Sequence, residues 1–283
     1  MVGDERPDRL PFGAHPIIAD VRRFDAEYLR ETRRGMWSDD REALEVLDVG
    51  PDDDVLDVGC GTGALTRVLA EETDGRAVGL DVDRNLLRDG SCDVPVVAGD
   101  ARSLPFAEDS FDLVICQALL INLPDPDRVV REFARVAADR VAAVEPDNAR
   151  VAVESSVEAE PRLERRAREA YLEGVETDVA LGPVPDRFEA AGLENVRVRR
   201  YDHTRTIEPP YGDPALKAAR RKATGVGLDG DRATILAGGL APEEYDDLRA
   251  DWRAMGRDVV AAMQAGDYRR EETVPFFVTV GEV

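Results

Sequence analysis

The stretch Val55-Leu56-Asp57-Val58-Gly59-Cys60-Gly61-Thr62-Gly63, followed by Leu65, Val68 and Leu69, constrains this chain more than any other. A short apolar run, then three alternating glycines, then apolar positions at helical spacing reads as strand, tight loop and helix. Glycines at such a junction let the backbone turn sharply and let a ligand approach the main chain. The positive end of the following helix favours an anionic group. The alternation continues, with strands predicted over 77–81, 95–99, 111–116 and 140–145. Asp83 is placed to cap one intervening helix, and Asp125-Pro126 opens another that carries Val129, Val130, Phe133 and Val136. Five strand units spaced by helices and short loops predict an α/β chain with a parallel, doubly wound sheet covered on both faces.

Acids around the loop narrow the ligand. The spacing is GxGxG, with Thr66 where a dinucleotide fingerprint carries its third glycine. Asp57 stands two positions before Gly59, where dinucleotide folds keep an apolar residue. A carboxylate there would repel a pyrophosphate but suits an amino group or a sulfonium. Asp81 closes the second strand, about twenty residues on, placed to accept hydrogen bonds from two ribose hydroxyls. Asp100 follows the third strand, where it can meet an adenine amino group. Carboxylates after three successive strands suit a ligand with a ribose, an adenine and a positive charge, and no phosphate. S-adenosylmethionine is such a ligand. An NAD-dependent dehydrogenase fits the strand–glycine–helix unit but not Asp57 or Thr66.

Composition removes other classes. The 283 residues hold 59 acidic and 37 basic side chains, a formal net charge of -22. Lys217 and Lys222 are the chain's two lysines, and the other basic residues are arginines. Carboxylate-rich, lysine-poor surfaces stay hydrated and mutually repelled in concentrated salt, so a halophilic, cytoplasmic origin is expected. No basic surface invites nucleic acid, and no apolar run approaches the roughly 20 residues that cross a bilayer. The polar opening residues predict no signal peptide. Cys60, Cys92 and Cys116 form no CxxC pair, and with only His15 and His203 besides, no metal site is expected.

The segment from Asp54 to about Val144 resembles the class I S-adenosylmethionine-dependent methyltransferases. VLDVGCGTGALTRVLA is similar to that family's glycine motif, and AVGLDVD to its ribose-binding acid motif. VVAGDARSLPFAEDSFDLVICQALLINLPDP looks like its adenine-site and fourth-strand region, and GDARSLPFAEDSFD resembles the small-molecule branch that includes quinone-biosynthesis C-methyltransferases. The resemblance implies a seven-stranded, mostly parallel Rossmann-like sheet whose last strand, over 275–280, runs antiparallel between the fifth and sixth. It assigns Asp57, Gly59 and Gly61 to the methionine end of the cofactor and Asp81 to the ribose, with Cys60 counted in the cofactor loop at a common family position and read as packing. Val82 would pack on adenine, Asp100 would bind its amino group, and Ala101 would offer a backbone N–H. Gln117 would face both cofactor and acceptor. The first 50 residues would form a helical lid that brings Arg34 and Trp37 to the cofactor, with residues 51–283 as the catalytic domain.

The remainder is less legible. Helices are expected over 17–34 and from Ser38 to Gly50, with helical insertions at about 146–182 and 207–273. A strand is expected from Val196 to about His203, and a glycine-rich stretch over 225–239. A helix carries Tyr245, Leu248, Trp252, Met255 and Val259 on one stripe, read as core or as a homodimer surface. Methyl transfer from a sulfonium needs no triad or metal, so the acceptor stays open between small molecules. Gln117, Glu145 and His203 are the catalytic candidates, with Asn122 and Asp147 beside them at the strand ends. Glu145-Pro146-Asp147 is placed to bind or deprotonate an acceptor but reads first as a solvated acidic loop. Glu208-Pro209-Pro210-Tyr211 imitates a DNA amino-methyltransferase motif but lies far downstream of its proper place and reads as a loop. A cofactor-binding regulator without turnover remains the non-enzymatic alternative.

Overall fold

The computed structural model describes residues 15–18, 21–23, 26–32, 36–37, 41–90 and 94–283. Its N-terminal part contains β1 (His15–Ile18), β2 (Val21–Arg23) and α1 (Ala26–Thr32). The helix expected over 17–34 is therefore confined to one short element behind two strands, because Ile18 and Val21 are β-branched and sit in extended backbone. The helix expected after Ser38 is a 3-10 turn, Glu42–Leu47, that buries Ala43, Leu44 and Leu47.

From Asp54 the alternation follows: β3 (Val55–Val58), α2 (Ala64–Glu72), β4 (Ala77–Asp81), α3 (Arg84–Asp89), β5 (Val96–Ala98), β6 (Phe111–Gln117), α4 (Pro126–Val136) and β7 (Ala137–Pro146). Asp83 accepts the N–H of Asn85 and Asp125 that of Arg128, so both expected caps are in place. Then come β8 (Ala152–Ser155), α5 (Ala159–Gly174), α6 (Pro185–Ala190), β9 (Glu194–Ile207), α7 (Asp213–Thr224), α8 (Val226–Ala237), α9 (Pro242–Ala265) and β10 (Arg270–Glu282). The glycine-rich 225–239 stretch is thus a helix: Leu228 and Ile235 are buried, and that packing outweighs glycine's poor helix propensity. No helix among the described residues is long and apolar enough to cross a membrane.

The chain divides into two compact units. The strand unit is Ala19–Val151, Thr177–Thr204 and Thr273–Val283; the helical unit is Met1–Ile18, Ala152–Glu176 and Arg205–Glu272. In the strand unit the order is β5-β4-β3-β6-β7-β10, with β9 also paired to β10. Five strands, β3 to β7, run parallel, and β10 is antiparallel to β7, with Phe276 opposite Pro146 and Val280 opposite Ala142. Side chains alternate between the two faces. Leu56, Val58, Val114, Cys116, Val141 and Ala143 join α4 residues Val129, Val130 and Phe133. Val55, Leu113, Ile115, Ala142 and Val144 join Leu65 and Leu69 of α2, together with Met36, Trp37 and Leu47. Apolar runs buried on both faces are what a covered parallel sheet requires.

In the helical unit the α9 stripe of Tyr245, Leu248, Trp252, Met255 and Val259 is buried, so it is core and not an exposed dimer face. Its neighbours include a buried ionic network. Glu160 accepts from Ser155 Oγ at 2.5 Å, from Tyr268 Oη at 3.0 Å and from Lys222 Nζ. Glu164 pairs with Lys222 at 2.5 Å and with Arg270 at 2.7 Å; Glu272 pairs with Arg270 at 2.6 Å and with Arg205. Burial alone would push the Glu272 carboxyl up, but the Arg270 and Arg205 guanidiniums outweigh it and hold the group well below the usual range. Burial and the Glu160 carboxylate push the Tyr268 phenol up. Glu208-Pro209-Pro210-Tyr211 lies between β9 and α7, where Tyr211 Oη donates to Tyr268 O at 3.0 Å.

Candidate active site

Parallel strands gather their C-terminal ends on one edge, and order β5-β4-β3-β6 sets Asp81, Asp57 and Gln117 there, with Asp100 just beyond β5. Asp57 is 1% exposed inside a fully buried strand. Its Oδ2 accepts from Thr66 Oγ1 at 2.6 Å, across the first turn of α2. Thr66, which breaks the dinucleotide spacing, thus serves as the donor for the buried acid.

The glycine loop is drawn against β4. Gly59 N–H and Cys60 N–H both donate to Leu80 O, at 2.7 and 3.0 Å. Gly59 and Gly61 have φ of 74° and 58°, the left-handed region that side chains disfavour. A Cβ on Gly59 would lie 2.9 Å from Leu119 Cδ1, and one on Gly61 would lie 2.9 Å from Leu29 Cδ1. Leu29 of α1 and Leu119 therefore pack directly on the loop. Cys60 packs its sulfur against Gly79, where a Cβ would come within 2.8 Å, which is a packing role.

Asp81 is buried, and burial pushes its carboxyl above the usual range against the backbone N–H bonds that oppose the shift. Oδ2 accepts from Gly61 N–H at 2.8 Å and Oδ1 from Asp83 N–H at 2.7 Å. Each oxygen retains acceptor capacity for a hydroxyl. Val82 beside it is 51% exposed, an apolar surface next to a buried acid that suits the face of a flat ring. Asp100 is differently occupied. It accepts Arg102 N–H at 2.9 Å and pairs with the Arg102 guanidinium at 2.8 Å, whose hydrogen bond holds the carboxyl below the usual range. Ala101, half-buried, packs against the core.

Gln117 is buried, and its Nε2 donates to Met36 Sδ at 2.8 Å. Trp37, at 2% exposure, stacks on Tyr201 with ring centroids 4.4 Å apart; Tyr201 lies 6.3 Å from the His203 ring, and His203 6.4 Å edge-on from Phe276. His203 is thus buried in an aromatic row on β9, next to the end of β10 that pairs with the tip of β7. Sequence reasoning missed Leu29, Met36 and Tyr201, because their neighbours come from elements far apart in the chain. Arg34 and Cys92 lie outside the described residues, as do the side chains of His15 and Tyr28.

The acidic-loop reading of Glu145 is corrected. The residue is fully buried inside β7, and its Oε1 accepts Leu119 N–H at 3.0 Å and Leu120 N–H at 2.9 Å while Oε2 accepts Ile121 N–H at 3.3 Å. Burial pushes the carboxyl up to about 7, partly countered by those amides. Cys116 Sγ is 3.6 Å away, and burial pushes that thiol well up. Glu145 is accordingly an anchor for the turn after β6, with all its bonds to protein. Asp147 caps the 3-10 turn Asn148–Arg150 and pairs with Arg150 at 3.3 Å. Asn122 Nδ2 donates to Ala118 O at 2.8 Å.

The chain is similar to known proteins over this same region. The methyltransferase domain family matches residues 56–144. Methyltransferase GfsG of Streptomyces halstedii is 42% identical over 104 residues, 34% of this chain and 37% of that protein. A demethylmenaquinone methyltransferase of Corynebacterium urealyticum matches at 44% over 32% of this chain and 39% of its own length. The chain thus spans well under half the length of these two relatives. A demethylmenaquinone methyltransferase of Mycobacterium sp. (strain JLS) is 36% identical over 174 residues, 56% of this chain and 75% of that protein. A solved S-adenosylmethionine-dependent methyltransferase from Methanosarcina mazei aligns over 86% of this chain and 98% of its own at 16% identity, with a TM-score of 0.45. The glycine loop, the buried strand-tip acids and the mycobacterial relative together place the chain among the class I S-adenosylmethionine-dependent methyltransferases.

Proposed function

We propose that this chain transfers the methyl group of S-adenosylmethionine to a small-molecule acceptor by in-line displacement. The observation that carries the reading is Asp57 and Asp81, buried acids on adjacent strands, Asp81 bonded to the GxGxG loop at Gly61 and Asp57 to Thr66 in the helix that follows it. Asp81 would hold the ribose and Val82 the adenine face; Asp57, Gly59, Cys60 and Gly61 would line the methionine end. Asp100 and Ala101 would border the adenine edge, with Asp100 exchanging part of its Arg102 pairing for the amino group. When bound, the cofactor supplies a methyl group on an already activated sulfur. The chain then has to align nucleophile, methyl and sulfur and exclude water, which Met36, Trp37 and Leu29 would do as the inner face of an N-terminal lid over Gln117. Arg34 and Trp37 would close that lid.

A base is needed only where the acceptor must lose a proton, and His203 is the group at the strand tips that would take it. Glu145 would act through the turn it anchors. The names of the corynebacterial and mycobacterial relatives make a quinol the first acceptor class to try. We further propose a halophilic, cytoplasmic setting, in which the chain works as a monomer or homodimer and not on nucleic acid.

Calorimetry in concentrated KCl tests the reading. Binding of S-adenosylmethionine and S-adenosylhomocysteine, with none for NAD, is expected, followed by labelled methyl transfer to 1,4-dihydroxynaphthalene or to a component of a metabolite extract. Binding without turnover on any acceptor would make the chain a cofactor-binding regulator. Absence of binding would sink the proposal.

A further inference from the structure

Two buried polar atoms near the tip of β6 have no hydrogen-bond partner among the described residues: Oδ1 of Asn122 and Nε1 of Trp37. Their residues are 5% and 2% exposed. A buried donor or acceptor left unpaired opposes folding by its full desolvation, so a native chain that keeps one calls for an explanation. The Asn122 amide cannot be turned over to escape this. Its Nδ2 donates to Ala118 O, and a flipped amide would set two carbonyl oxygens against each other.

Location separates these atoms from other orphans. Trp252 Nε1 is also unpaired, but it lies on α9 in the core of the helical unit. Asn122 belongs to the turn that Glu145 holds and whose Leu119 packs over Gly59. Trp37 follows Met36, whose sulfur accepts from Gln117 at the end of β6. Ala118, which accepts from Asn122, packs against the same apolar cluster that contains Met36 and Trp37.

We propose that Asn122 and Trp37 bind a hydroxyl group on the methyl acceptor. The hydroxyl hydrogen is donated to Asn122 Oδ1, and the hydroxyl oxygen accepts from Trp37 Nε1–H. This deepens the methyltransferase reading and rests on it. A hydroxyl both donates and accepts, which is what one leftover acceptor and one leftover donor demand. A protonated amine has no acceptor, and a methyl ether has no donor. Sites built to hydrogen-bond a hydroxyl reject analogues that lack it far more strongly than apolar pockets reject a missing methylene.

The test uses the full chain saturated with S-adenosylhomocysteine and titrated, without oxygen, with 1,4-dihydroxynaphthalene and with 1,4-dimethylnaphthalene, in which each hydroxyl is replaced by a methyl. Wild type is expected to prefer the diol by about tenfold or more. Asn122→Ala and Trp37→Phe should each reduce that preference to about threefold or less, since each removes one hydrogen bond to the acceptor. In Asn122→Ala, which also loses the bond to Ala118 O, S-adenosylhomocysteine affinity should stay within about twofold. Trp37→Phe keeps an aromatic ring against Tyr201, and Asn122→Ser replaces Asn122→Ala should the latter not fold. A diol preference that survives both substitutions overturns the proposal. So does a parallel loss of S-adenosylhomocysteine affinity in Asn122→Ala, or a wild type that binds neither naphthalene. Each of those results leaves the methyltransferase reading standing, whereas a wild type that does not bind S-adenosylhomocysteine sinks the reading itself.

Discussion

Asp81 Oδ2 accepts the backbone N–H of Gly61 at 2.8 Å, so the tip of β4 and the glycine loop beyond β3 are held together by one buried carboxylate. The same side chain that would hold the ribose also shapes the loop. Asp81→Asn places an N–H donor in a carboxylate position that accepts two amides. It is expected to weaken S-adenosylhomocysteine binding by about tenfold or more and to destabilise the fold by about 1–3 kcal/mol. Calorimetry and urea unfolding measure both, and unchanged affinity would remove Asp81 from the site.

Asp57 Oδ2 accepts a short hydrogen bond from Thr66 in the interior of the sheet. Thr66→Val keeps the shape and removes the donor, and is expected to cost about 2 kcal/mol, since bonds to charged groups are the stronger ones. Thr66→Ser should retain most of the stability. Equal denaturation midpoints for wild type and Thr66→Val would show that the bond contributes nothing.

Glu145 makes stability depend on pH in a definite direction. Its carboxyl titrates near 4.5 in the free chain and at about 7 in the fold, where burial favours the neutral form. Between those values the folded chain binds more protons than the unfolded one, so this group's contribution is complete below pH 4.5 and is lost as pH rises through 7. The loss amounts to about 3 kcal/mol. Glu145→Gln cannot titrate, so the stability difference between wild type and variant should change by that amount across the window. Parallel pH curves would contradict the buried carboxyl.

In the helical unit, Lys222 neutralises Glu160 and Glu164, neither of which has access to water. Lys222→Met leaves the acids facing fewer cations and is expected to destabilise by about 3–5 kcal/mol, as when one partner of a buried ion pair is removed. Replacing Lys222 with Met and Glu160 with Gln together should recover part of the loss. Chemical denaturation followed by Trp252 fluorescence reports it, and a loss below about 1 kcal/mol would place the pair in the surface class.

Much of the strand unit was legible because its signals are local. Apolar runs of four to seven residues, caps at Asp83 and Asp125, and glycines requiring positive φ all act within a few residues of themselves. The acids at positions 57, 81 and 100 could be placed because parallel strands must end on the same edge. The N-terminal helices were misjudged: helical spacing of Ile18, Val21 and Leu29 does not distinguish a helix from two short strands and a turn. Glu145 was misjudged for a related reason. A carboxylate beside a proline looks solvated unless the three amides that it accepts, from a turn 24 to 26 residues earlier, are known.

The amino-acid order by itself determined the α/β alternation, the loop that approaches a ligand and the kind of ligand its carboxylates favour, since each follows from covalent geometry and charge at short range. Tertiary structure alone decided that Thr66 donates to Asp57, that Glu145 supports a turn and that the lysine-bearing helix buries its charge. Those outcomes depend on which polar groups lose water together when distant segments pack. That desolvation is a property of the folded arrangement, set by partners that no local window contains.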